Sequence, residues 1–218
     1  MSGHHHLPRP TLDDLLMAHA AGSLPVPLAV AVGTHLALSP TSRRQYRVFE
    51  ALGGALLEEI APAALAANAW DLLSARLDQE GAGTRAVETP PPPPAPRLEP
   101  VVPGGPAFLL PRPLRDYLPG PVGQHLDWRA RTPGVHEAEL GLGTPGFDTA
   151  LIYVRAGQPY PGHAPHEVDI VLTLEGGSQG QAGHFTRGHL AILGPADSRL
   201  RTADDGPDWL WLRVLGAL

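Results

Sequence analysis

Cysteine and lysine are both missing from this chain. Without cysteine there can be no disulfide, no thiolate metal ligand and no thiol-based redox sensor. All basic residues are arginine, which reflects a GC-rich coding sequence and carries no mechanism. Charge is sparse, at 17% of residues, and nets to −6, with a pI near 6.0. That excludes the basic footprint of direct nucleic-acid binding. No apolar run reaches the roughly 18 residues a membrane span needs. The nearest, Leu24–Leu38, is interrupted by Pro25, Pro27, Gly33 and His35. The N-terminus has no signal-peptide pattern, so the expected location is the cytoplasm.

Proline (26) and glycine (25) are plentiful, as expected of a linker and a turn-rich β region. Helical periodicity marks 11–22, 26–38, 42–61 and 63–79. In the first, Leu12, Leu15, Leu16 and His19 share a face and Gly22 stops the helix. Ser39 before Pro40 is a cap and first-turn pair for the third. Pro62 breaks the chain before the fourth, where Leu65, Ala69, Leu72, Leu73 and Leu77 form a stripe. Five prolines, Pro90–Pro94, then impose an extended spacer. Short alternating runs follow, among them DTALIYV, EVDIVLTLEG, HLAILG and DWLWLRVLG. These predict an antiparallel β-barrel or sandwich. The expected organisation is a helical domain over 1–85, a linker over 86–100 and a β domain over 101–218. The spacer predicts weak mechanical coupling between the halves unless they share a bound partner.

Chemistry concentrates in a few places. The stretch HLALSPTSRR places His35, Ser39 and Ser42 in the frame H-x-x-x-S-x-x-S. With cysteines in place of both serines it would read as a zinc-ligand spacing, but a neutral hydroxyl is a poor zinc ligand. Read alone, the frame is a metal-free helix junction, with Ser39 as a cap and His35 hydrogen-bonded or partly buried. HAPHEVD, residues 163–169, offers His163, His166, Glu167 and Asp169 as metal ligands or as solvated loop polars. GLGTPG, residues 141–146, opens no helix and reads as a β-turn rather than a dinucleotide site. Trp128, Trp209 and Trp211 either line an aromatic pocket or pack in the sandwich. Trp209 and Trp211 share one face of the last strand, Leu210 and Leu212 the other. The arginine-rich RRQYR, residues 43–47, is a candidate for docking on an acidic surface or an exposed helix face.

Two long stretches carry a resemblance. DDLLMAHAAGSL…THLALSPTSRRQYRVFEALGGALLEE is similar to the zinc-binding anti-sigma domain of the ChrR family. The match runs through Asp13, Leu15, Leu16, Gly22, His35, Leu36, Arg43, Glu50, Gly53, Gly54 and Glu58. LPRPLRDYLPG…LDWRARTPGV…PGHAPHEVDIVLTLEGG resembles the cupin-like sensor domain of the same family. The resemblance implies an α+β fold in two domains, a four-helix anti-sigma bundle followed by a cupin-like antiparallel β domain. It implies a transcriptional regulator, not an enzyme. Such a protein occludes an extracytoplasmic-function sigma factor until a stress signal arrives.

The family's helical domain holds zinc, and its cupin holds a second metal. Here the corresponding positions are His35, Ser39 and Ser42, and His163, Pro165, Asp169 and Arg199. Most have lost their ligand chemistry, so no metal and no other cofactor is expected. Asp169 and Arg199 are expected to form a charge-assisted pair in its place. Partner contacts read from amphipathicity are Leu12, Leu15, Leu16, Tyr46, Phe49 and Leu52. A small-molecule signal at the cupin is compatible with this reading. Two alternatives stay open, a metal-free cupin sensor and a cupin metalloenzyme, either with a helical oligomerisation domain.

Overall fold

Thr11 opens the first helix. Its hydroxyl accepts from the Asp14 backbone N–H at 3.2 Å, and the Asp14 carboxylate accepts from the Thr11 N–H at 2.8 Å. This reciprocal box satisfies donors that a helix start otherwise leaves orphaned. The computed structural model describes residues 10–83, 108, 110–118, 126–162, 168–180, 183–194 and 201–216. Helix α1 spans Leu12–Ala20 and gives way to Gly22, whose φ of +67° suits glycine. Helix α2 spans Val26–Leu38, with Pro27 in its first turn, where a missing N–H costs nothing. Helix α3 spans Pro40–Glu58, α4 spans Ala69–Gly83, and α5 is one turn, Arg112–Arg115.

Five helices are therefore described where four were expected. The fourth starts at Ala69 rather than near residue 63. Residues 61–66 have no regular structure, and the Asn68 carbonyl accepts from Leu72 N–H at 3.0 Å. Asparagine is among the best residues for beginning a helix, and here it outweighs the apolar stripe that pointed further upstream.

The strands are β1 Arg129–Thr132, β2 Val135–Glu139, β3 Phe147–Val154, β4 Pro159–Tyr160, β5 Val168–Glu175, β6 Gly177–Gly180, β7 Gly183–Thr186, β8 Leu190–Ile192, β9 Arg201–Ala203 and β10 Trp209–Gly216. They form a six-stranded sheet in the order β1-β2-β3-β10-β5-β8 and a four-stranded sheet in the order β4-β9-β6-β7. Every pairing is antiparallel.

Period-two alternation divides the large sheet between two cores. Leu151, Tyr153, Ile170, Leu172, Leu210 and Leu212 face outward into a core they share with Leu15, Leu16 and Leu28 of α1 and α2. Ile152, Val154, Val171, Trp209 and Trp211 face inward, with Phe185, Ala203 and Tyr160. Strand β10 is buried along its whole length because both of its faces are covered.

The chain divides into two compact units, Met1–Gly53 with Leu98–Leu218, and Gly54–Arg97. The first unit joins α1, α2 and α3 up to Gly53 to the β sheets. Weak coupling of the helices to the β region, expected from the proline spacer, is thus not what the fold displays. Burial of leucine side chains between helix and sheet ties the two together whatever the spacer's composition. In the second unit, α4 exposes Trp70, Leu72, Leu73 and Leu77.

Candidate functional site

The junction between α2 and α3 is built around His35, which is 4% exposed. Its Nδ1 lies 2.8 Å from the Gly188 carbonyl oxygen. A carbonyl only accepts, so Nδ1 carries the proton and Nε2 presents a lone pair. The Ser42 hydroxyl donates to that Nε2 at 2.8 Å. The Ser39 hydroxyl donates to Ser42 Oγ at 3.0 Å and accepts from the Ser42 backbone N–H at 3.3 Å. Ser39 therefore caps α3, and its hydroxyl continues a hydrogen-bond chain into the buried imidazole. Burial pushes the His35 pKa down; the bond to Gly188 pushes it up, His189 lowers it further, and the net direction is down. The ring is neutral at pH 7.

Gly188 completes the junction from the turn between β7 and β8. Its φ is +83°, and a Cβ there would lie 3.2 Å from Leu38 Cβ. Only glycine brings its carbonyl this close to α2 without strain. Arg43 closes the other side. Its Nη1 donates to the Leu36 and Ala37 carbonyls at 2.6 and 2.9 Å, which satisfies the open end of α2. The first arginine of RRQYR is thus a helix cap, not a free docking charge.

The six residues expected to meet a partner separate by burial. Leu15 and Leu16 are 2% and 0% exposed and belong to the core. As partner contacts they are corrected: the face that α1 would need for docking is the face it uses to pack. Leu12, Tyr46 and Phe49 are partly buried against the same core. Leu52 is 55% exposed, and Val48, one turn earlier, is 65% exposed. A shallow groove of about 380 Å³ runs between α2 and α3, lined by Gly33, Leu36, Tyr46, Arg47, Glu50 and Pro113.

One charged cluster escapes a reading by motif. Glu137 on β2 and Arg213 on β10 are 5% and 3% exposed, and they pair at 2.6 Å. Arg131 binds the second Glu137 oxygen, and Asp148 accepts from Arg213 at 3.0 Å. Burial raises the Glu137 carboxyl, but Arg131 and Arg213 more than reverse this and hold it below its ordinary value. The signal in the sequence was a lone arginine inside WLWLRVLG, at an inward position of an apolar strand.

No family model matches the chain. It is 31% identical over 208 residues to the anti-sigma-E factor ChrR of Cereibacter sphaeroides, covering 94% of this chain and 88% of that protein. The chain belongs to the ChrR family of anti-sigma factors. The crystal structure of Rhodobacter sphaeroides SigE in complex with the anti-sigma ChrR is similar to it at a TM-score of 0.72, with 27% identity. That match covers 96% of this chain and 99% of the other.

Zinc, which ChrR-family resemblance implies at the α2–α3 junction, does not fit the residues present. Among the described residues the donor set is one imidazole, whose free lone pair is occupied by Ser42, and two neutral hydroxyls; His4, His5 and His6 lie outside the described residues. Zinc sites use thiolate, imidazole or carboxylate. In the β region, Asp169 is fully buried on β5. His163, Pro165, His166, Glu167 and Arg199 lie outside the described residues, and so does the expected Asp169–Arg199 pair. GLGTPG lies in the segment before β3, with Gly143 and Gly146 at positive φ and no helix following. Trp209 and Trp211 stack with centroids 5.1 Å apart in the inner core. Among the described residues no helix is long and apolar enough to cross a membrane.

Proposed function

We propose that this chain is an anti-sigma factor that binds an extracytoplasmic-function sigma factor stoichiometrically and hides it from RNA polymerase, without zinc and without catalysis. The observation that carries the reading is 31% identity to an anti-sigma-E factor across 94% of the chain. The helical segment, residues 1–85, is the partner-binding part, residues 86–100 the linker and residues 101–218 the responsive part. The protein acts in the cytoplasm, where its partner works. Val48 and Leu52 supply apolar surface in the first unit, and Leu56, Leu57, Ile60, Trp70, Leu72 and Leu77 supply it in the second. In each unit, exposed apolar side chains of this kind are what a partner-binding helix offers.

The test is co-expression of the full chain with each extracytoplasmic-function sigma factor of its host. The full chain is needed because α1 and α2 share their core with the sheet. The expected result is a one-to-one complex on size exclusion that blocks transcription by the polymerase holoenzyme. Absence of a complex with every one of them overturns the proposal.

A further inference from the structure

Helix α3 carries two adjacent glycines, Gly53 and Gly54, in its interior. After proline, glycine is the least favourable residue for a helix interior, because it gives up the most backbone freedom on ordering. A pair there calls for a left-handed backbone, a close neighbour or a bend. The first does not apply: neither residue has a positive φ, and both lie within the helix. Nor does the second. A Cβ added at either position would meet nothing within 4 Å, whereas one at Gly188 would press on Leu38. Within this chain, alanine would fit at both positions and hold the helix better.

What is left is the bend, for which glycine is one of a short list of causes. Three further observations meet at this pair. Tyr46 and Phe49, the α3 side chains packed against the core of the first unit, both lie upstream of it. From Ala51 to Glu58 every residue is exposed, so no packing among the described residues braces this stretch. The border between the two compact units falls between Gly53 and Gly54. The helix therefore passes from one unit to the other where its own backbone is softest.

We infer that Gly53–Gly54 is a hinge in α3, through which the second unit turns to fit its partner. Val48 and Leu52 lie before it, and Leu56, Leu57, Ile60 and Trp70 lie beyond it, all of them exposed. A rigid helix would fix the angle between these two sets of apolar side chains. A hinge lets each seat itself on its own part of the partner's surface. That use rests on the anti-sigma reading; the hinge itself does not.

The chain has no cysteine, so cysteines introduced in pairs take spin labels at those positions alone. In the full chain, Thr202→Cys on β9 is combined with Ala51→Cys, before the hinge, or with Glu58→Cys, beyond it; all three positions are exposed. Double electron–electron resonance then reads each distance distribution with no partner present. The Ala51 pair is expected to give a narrow distribution and the Glu58 pair one about twice as wide. Gly53→Ala with Gly54→Ala is expected to narrow the second to the width of the first, with a Tm no lower than wild type. The same double variant is expected to bind the sigma factor about fivefold more weakly, or worse. A Glu58 distribution as narrow as that of Ala51, or one that the alanines leave broad, overturns the inference. So does a lowered Tm, which would mean that the glycines make room rather than allow bending. Unchanged sigma-factor affinity in a variant whose distribution has narrowed overturns it as well. If no sigma factor binds, the anti-sigma reading falls, and the partner-free distances still decide the hinge.

Discussion

A buried ion pair is a poor source of net stability and a costly thing to break. Glu137 stands between Arg213 and Arg131, so Glu137→Gln takes the buried carboxylate from Arg213 and leaves it the half-exposed Asp148. The expected loss is about 3 kcal/mol, read from chemical denaturation at pH 7. The sign with pH follows from the direction of the shift. The Glu137 carboxyl is held below its ordinary value in the folded state. Its contribution is therefore full above the ordinary carboxylate range and lost as pH falls through the lowered folded value. Glu137→Gln should flatten that part of the acid limb. His35 shifts downward too, from 6.5, and stays neutral when folded. Its contribution is complete above that value and declines as pH drops below it, because the unfolded chain then binds the extra proton. Ser42→Ala leaves Nε2 as a buried acceptor without a donor, at a cost of about 1–3 kcal/mol by thermal or urea melts at pH 7.5. The spacing of His35, Ser39 and Ser42 was legible in the sequence, as were the cap and the absence of sulfur. Gly188 was not, because no local pattern reports a carbonyl that arrives 153 residues later.

Elements tell a different story from residues. α2 and β10 were readable because their apolar content and boundaries agree with where they sit, between other elements on both sides. The alternation in WLWLRVLG predicts two faces, and two cores meet there. α4 was harder, since its stripe of leucines promised a packed helix and those leucines are exposed. Amphipathicity says that a face wants covering. It does not say by what. The same ambiguity separates Leu16 from Leu52, two leucines that pattern alone treats alike. Leu16→Ala should unfold the first unit by about 2–5 kcal/mol, the usual cost of emptying a core site. Leu52→Arg, at an exposed position, should leave Tm within a degree or two. It should weaken sigma-factor capture at least tenfold in the co-expression assay. A variant at Leu52 that binds normally would remove this part of α3 from the interface.

At the scale of the molecule, the helices and the β sheets of the first unit are held by one core and one hydrogen-bonded corner. Gly188→Ala tests that corner. It forces a Cβ to within 3.2 Å of Leu38 in a backbone conformation with φ of +83°. The expected cost exceeds 1 kcal/mol. The far-ultraviolet signal of α1 and α2 and the near-ultraviolet signal of Trp209 and Trp211 should fall together in one transition. Separate transitions would mean that helix and sheet unfold independently. This coupling is what the sequence concealed, because a run of prolines reads as separation while packing between leucines far apart in the chain leaves no local trace. The corner itself is assembled from imidazole, hydroxyl, carbonyl and guanidinium groups. Every part of it leaves the ribosome with the chain. Under the zinc-free reading proposed above, the supply of this regulator would track translation rather than metal uptake.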